Sequence, residues 1–200
     1  MNEIIQQSLA HAVGYEEYRN IISTLLAAGK STGSSQSEKL NQYTLLNETR
    51  MNRIEKTVTV SKENQQALQQ IKSNYIWLII SEGWCGDSAQ IVPIIAKMAE
   101  VTPNIKFQMV LRDANDALMD LFLTNGSRSI PKLIVLNNDF QVLDYWGPRP
   151  KGAVALMNRH LEEAGYISDE AKSQLQMWYL NDKGISTQLE IIRLMQHLDA

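Results

Sequence analysis

The chain has 200 residues, with 19 Lys and Arg against 22 Asp and Glu, a formal net charge of −3. That length fits one domain or one with extensions, and the charge balance lacks the basic field that sequence-independent nucleic-acid binding needs, so no nucleic-acid partner is expected. Hydrophobic residues make up 44% and there is one cysteine, which provides for a buried core and excludes intramolecular disulfides, multi-cysteine zinc sites and cysteine-ligated iron–sulfur clusters built from one chain.

The chain opens with Met1-Asn2-Glu3-Ile4-Ile5, acidic rather than basic, and runs directly into Gln6 and Gln7. A secretory signal has a cationic start and a longer apolar stretch. The longest apolar run, Tyr75 to Ile80, falls far short of the ~20 residues of a membrane span. A cytoplasmic, reducing setting without membrane contact is expected. From Tyr15 to about Lys56 the spacing is helical: Tyr15, Tyr18, Ile22, Leu25 and Leu26 share one face, Gly29 falls where a helix ends, and Leu40, Tyr43, Leu46, Met51 and Ile54 mark a second helix after the break at Gly33-Ser34-Ser35-Gln36. The spacing predicts an α-helical hairpin ahead of the main domain.

Thr57-Val58-Thr59-Val60 is β-branched and predicts a strand, and Ser61 caps a short helix carrying Ala67, Leu68 and Ile71. Tyr75 to Ile80 reads as a central strand covered on both faces. A helix over Cys85 to Glu100, a strand over Ile105 to Leu111 and a helix with Leu118, Leu121, Phe122 and Leu123 follow. Strands over Lys132 to Leu136 and Phe140 to Trp146 flank the turn Asn137-Asn138-Asp139, and a helix from Lys151 to Ala164 closes the unit. Beyond Ser168, Leu175, Trp178, Tyr179, Leu189, Ile192 and Met195 recur at helical spacing. The expected organisation is a helical extension over 1–56, a mixed α/β sheet domain over 57–165 and a C-terminal helical extension over 166–200.

Chemistry concentrates in Ser81-Glu82-Gly83-Trp84-Cys85-Gly86-Asp87-Ser88, at the carboxyl end of the most buried strand and the start of a helix. Reactive groups collect at such strand ends, and a helix N-terminus favours the thiolate over the thiol. His11, His160 and His197 are scattered away from this motif and read as solvated or capping residues.

Trp84-Cys85-Gly86-Asp87-Ser88 resembles the active-site turn of the thioredoxin superfamily, with Ser88 where the second, resolving cysteine would stand. Pro93, eight positions after Cys85, matches the proline of the active-site helix; Arg128-Ser129-Ile130-Pro131 resembles the loop whose cis-proline packs beside the sulfur; Gly147 follows the last strand as in the family. The likeness spans roughly Thr57 to Ala164, and chains with such a helical preface resemble a bacterial thioredoxin-like group. It implies a thioredoxin-like mixed sheet flanked by helices, with Cys85 and Ser88 at the chemistry and Trp84, Gly86, Ile130 and Pro131 shaping the substrate platform.

Departures from the pattern bound the mechanism. Ser88 cannot resolve a mixed disulfide. The family's buried acid, six positions before the cysteine, is replaced by Ile79. Asp87 opposes a thiolate two residues away and Glu82 adds to it if close, while Arg128 and Lys132, flanking the proline loop, are the cations expected to compensate. A moderately activated thiol is the expectation. The resemblance therefore implies monothiol exchange with protein or low-molecular-weight disulfides, with no metal and with glutathione or another small thiol as the reductant. The alternatives are a redox-inactive thioredoxin-fold binding module and an iron–sulfur site shared between subunits, against which stands the absence of paired glycines near the last strand. Oligomeric state is not legible.

Overall fold

A strand apolar at nearly every position can satisfy its side chains only between two covered faces, and Tyr75–Ser81 (β1) takes that place. In the computed structural model, which describes residues 1–199, β1 pairs in parallel with Ile105–Leu111 (β2) and antiparallel with Lys132–Leu136 (β3), which pairs antiparallel with Val142–Trp146 (β4), giving the order β2-β1-β3-β4. Successive β1 side chains alternate between two cores. Trp77 and Ile79 face one, with Tyr18, Met51, Ile54, Ile91, Leu133 and Leu175. Ile76, Leu78 and Ile80 face the other, with Ile5, Cys85, Phe122 and Ile130. Trp77, Leu78, Ile79 and Ile80 are fully buried, each stabilising the fold by about 1.5–3 kcal/mol relative to exposure.

The helices divide the same way. Asn2–Leu9 (α1) and the short Asp116–Met119 (α6) cover the second core, whereas Tyr15–Ala27 (α2), Glu38–Thr57 (α3), Gly86–Ala99 (α5), Lys151–Ala164 (α7), Asp169–Asp182 (α8) and Ile185–Leu198 (α9) contribute to the first. Lys62–Gln69 (α4) packs on α9, and α3 lies along α5, which carries Pro93 within it. Gly29 adopts φ +69 just past α2, and Lys30 N–H reaches back to the Leu25 carbonyl, closing the helix end. No helix among the described residues is long and apolar enough to cross a membrane.

The strand expected over Thr57–Val60 does not form. Thr57 is the last residue of α3, its hydroxyl bonded to the Arg53 carbonyl. The next carbonyls are taken by side chains instead of a ladder: Lys97 Nζ reaches Val58 O, Gln188 Nε2 reaches Thr59 O and Gln65 Nε2 reaches Val60 O. Val58 and Val60 are buried, so the residue types that suggested a strand serve packing in an extended segment. The outer edge of β2 is met by Val13, which exchanges backbone hydrogen bonds with Met109 of 2.9 and 2.8 Å.

Three smaller differences follow from local chemistry. The helix expected to include Leu121 to Leu123 stops at Met119, leaving Leu121 and Leu123 exposed. β4 begins at Val142 because the Asn137 side-chain oxygen accepts from both Asp139 and Gln141 N–H, widening the turn. On α3, Tyr43 and Leu46 are exposed, while the buried positions include polar Thr44, bonded to Ser31, and Asn47, bonded to the Gly83 carbonyl.

Candidate functional site

β1 ends at Ser81, the chain turns through Glu82-Gly83-Trp84, and Cys85 becomes the N-cap of α5. Its Sγ accepts from Ser88 N–H at 3.4 Å and donates to the Ile130 carbonyl at 3.3 Å. Ile130–Pro131 is a cis peptide, and Gly147 at φ +114 backs the same loop. A Cβ on Gly147 would sit 2.4 Å from the Pro131 oxygen, so only glycine lets β4's end close against the loop. Trp84, Gly86, Ile130 and Pro131 are thus gathered around the sulfur. The Ser88 hydroxyl is buried and lies where it favours the thiolate, yet makes no hydrogen bond of normal geometry.

Cys85 is 8% exposed. Burial pushes its thiol up to about 11, and the Asp87 charge adds to this; Ser88 and the backbone N–H groups of the helix start pull the other way without prevailing. The expected moderately activated thiol is therefore a neutral thiol at physiological pH in this conformation, because removal from water outweighs the helix start.

The charges around it also differ from expectation. Arg128 is exposed and forks onto Asp116 and Asp120. Lys132 is buried, with Nζ on Thr124 Oγ1 at 2.6 Å, on the Gly147 carbonyl at 3.2 Å and over the Tyr145 ring, and burial lowers its pKa. Neither cation bonds the sulfur. Asp87 is engaged by Arg149, 2.7 Å away, and by the Tyr179 hydroxyl at 2.8 Å. Burial works against the Arg149 charge, and Asp87 more than restores it. Ile79 is buried among apolar side chains, and Glu82 is fully buried, with one carboxyl oxygen on Asp113 N–H and the other unpartnered; desolvation raises its pKa.

Residues from segments before and after the sheet complete the site. Thr32 Oγ1 accepts from Gly83 N–H at 2.8 Å, and Asn47 Nδ2 donates to the Gly83 carbonyl at 2.9 Å. Arg50 Nη1 lies 3.3 Å and Gln176 Nε2 3.6 Å from the point where a side chain on Gly86 would begin. The Arg112 guanidinium stacks 4.6 Å from the Trp84 ring centroid. Sequence reasoning missed Asn47, Arg50, Arg149, Tyr179 and Gln176. None of them carries a local signal; each is brought in by tertiary packing.

A sheet in this order, with a single-cysteine turn at a helix start facing a cis-proline loop, defines a thioredoxin-like domain. The comparisons agree. Residues 33–172 match the family described as "Thioredoxin". A Streptomyces coelicolor protein named "Putative thioredoxin 2" is 32% identical over 99 residues, 49% of this chain and 70% of that one. The fold is similar to the crystal structure of PA1234 from Pseudomonas aeruginosa, a protein of unknown function, with a TM-score of 0.57 and 15% identity over 92% of this chain and 98% of that one. It is similar also to an HIV epitope-scaffold, with a TM-score of 0.54 and 16% identity over 94% of this chain and 100% of that one. The chain belongs to the thioredoxin family.

Proposed function

We propose that the protein performs monothiol thiol–disulfide exchange at Cys85. The observation that carries this reading is the placement of Sγ at the N-cap of α5, 3.3 Å from the carbonyl of Ile130 before cis-Pro131. The Cys85 thiolate attacks one sulfur of a disulfide, the substrate S–S bond breaks, a Cys85–substrate disulfide forms, and the departing thiolate takes up the proton that Cys85 released. With Ser88 in place of a second thiol, an external thiol such as glutathione or another small thiol attacks the substrate sulfur of the adduct, and Cys85 leaves as the thiol.

Competition for the Ile130 carbonyl links binding to activation. The Sγ–H···O bond stabilises the neutral thiol. A substrate that pairs with that carbonyl takes the acceptor away, and the thiolate becomes easier to form with substrate in place. Incubation with oxidised glutathione at pH 7 to 9 should give one mixed-disulfide adduct by intact mass, reversed by reduced thiol and missing in Cys85→Ser. An unmodified chain throughout would end the proposal.

A second reading, a redox-silent thioredoxin-fold binding module, draws support from the burial of Cys85 and its raised pKa. The same incubation separates the two.

A further inference from the structure

Gly86 faces two side chains with free donors, Arg50 of α3 and Gln176 of α8, beside the Asn47 side-chain oxygen. Arg50 is half-buried and its one hydrogen bond is Nη1 to the Asn47 side-chain oxygen at 2.7 Å. Among the described residues it has no ion-pair partner. Asp87, the nearby carboxylate, is already engaged by Arg149 and Tyr179. Gln176 uses its oxygen to accept from Gln90 at 2.8 Å, which leaves its N–H groups free. One turn along α3, Arg53 bonds the neutral Gln90 and lines, with Lys183, a cleft of about 380 Å³.

A half-buried guanidinium loses part of its hydration, and here one hydrogen bond to Asn47 and the field of an Asp87 already paired with Arg149 are what offset it. Burial lowers the Arg50 pKa, and the Asp87 charge offsets this only in part. The missing partner is an anion, and a planar fork of N–H donors beside a free amide suits a carboxylate. The rim lies over Gly86, the residue following Cys85, so an anion held there is next to the turn that carries the thiol.

We propose that Arg50 and Gln176 form a carboxylate-binding rim over Gly86 that selects small anionic thiols and their disulfides, of the glutathione type, as reactants for Cys85. This deepens the monothiol reading and rests on it for the chemical step alone. The anion does not take part in the sulfur exchange, whose bonds and protons balance as given above; it holds the reactant by its carboxylate.

The test measures adduct formation on Cys85 with two probes, glutathione disulfide (anionic) and bis(2-hydroxyethyl) disulfide (neutral). Arg50→Gln should slow the reaction with glutathione disulfide about tenfold and leave the neutral probe within about twofold; Arg50→Lys should retain most of the preference, and Arg50→Glu should lose more. Equal slowing with both probes, or slowing with neither, overturns the rim. A second arm needs no reactive sulfur. S-methylglutathione should bind saturably to Cys85→Ser by calorimetry and fail to bind the Cys85→Ser, Arg50→Gln double variant, with thermal melts showing both folded. Absence of binding to Cys85→Ser overturns the rim. Saturable binding combined with an unreactive Cys85 would sink the monothiol reading and keep the rim.

Discussion

Cys85 and Asp87 stand two positions apart at the start of one helix and meet opposite surroundings. The carboxylate is engaged by Arg149 and Tyr179, reached from the loop before α7 and from α8. The sulfur has one backbone carbonyl, one N–H and apolar walls, and is pushed up to about 11. Both enjoy the same helix start, worth about 0.3–1 kcal/mol to an anion. The rise to about 11 at Cys85 corresponds to roughly 3 kcal/mol in the other direction. What separates the two is the partners that tertiary packing delivers. A helix N-terminus favours a thiolate only where solvent or a cation accompanies it.

The largest test of this contrast is the pH profile of Cys85 alkylation by iodoacetamide. At pH 7 the folded chain should react about 100-fold more slowly than the same thiol in guanidinium, since raising the pKa from 9.0 to about 11 cuts the thiolate fraction by that factor. The rate should climb about tenfold per pH unit toward pH 10; a plateau below pH 9 would contradict the burial argument. Stability carries the same sign. The folded chain holds this proton more tightly than the unfolded one, so the contribution of Cys85 is intact below about pH 9 and is lost as pH rises through about 11.

Removing the like charge is the next effect in size. Asp87→Asn should raise the alkylation rate at pH 8 about three- to tenfold, because Arg149 then faces the sulfur without its carboxylate. A rate unchanged within error would show that Asp87 does not act on the thiol. Arg149→Met should do the reverse, slowing alkylation about threefold and lowering the melting temperature, since it leaves a largely buried carboxylate with less support. Tyr179→Phe is the mildest. It should cost about 1–2 kcal/mol in denaturant unfolding with little change in thiol reactivity, the loss of one hydrogen bond to a charged acceptor.

The turn itself was legible in the sequence because its information is local: Trp84-Cys85-Gly86-Asp87-Ser88 follows an apolar strand and opens a helix within a dozen residues. β1, β2, β3 and α5 were legible for the same reason, each having a continuous or periodic apolar pattern. Thr57–Val60 misled because buried valines look alike in a strand and in a segment whose carbonyls are satisfied by Lys97, Gln188 and Gln65, the second of these more than a hundred residues away. Arg128 and Lys132 misled because adjacency to Pro131 in the chain says nothing of where a long side chain ends; Asp116, Asp120 and Thr124 compete for them. Asn47, Arg50, Arg149 and Gln176 carry no local signal for the site, since three tertiary packings bring them to it.

Val13 has a consequence outside the thiol chemistry. Its two hydrogen bonds to Met109 fall midway along the outer side of β2, where an open row of backbone donors and acceptors would otherwise invite a strand from a second molecule. One residue there interrupts that row, so the segment joining α1 to α2 leaves this border of β2 without a continuous template for an added strand.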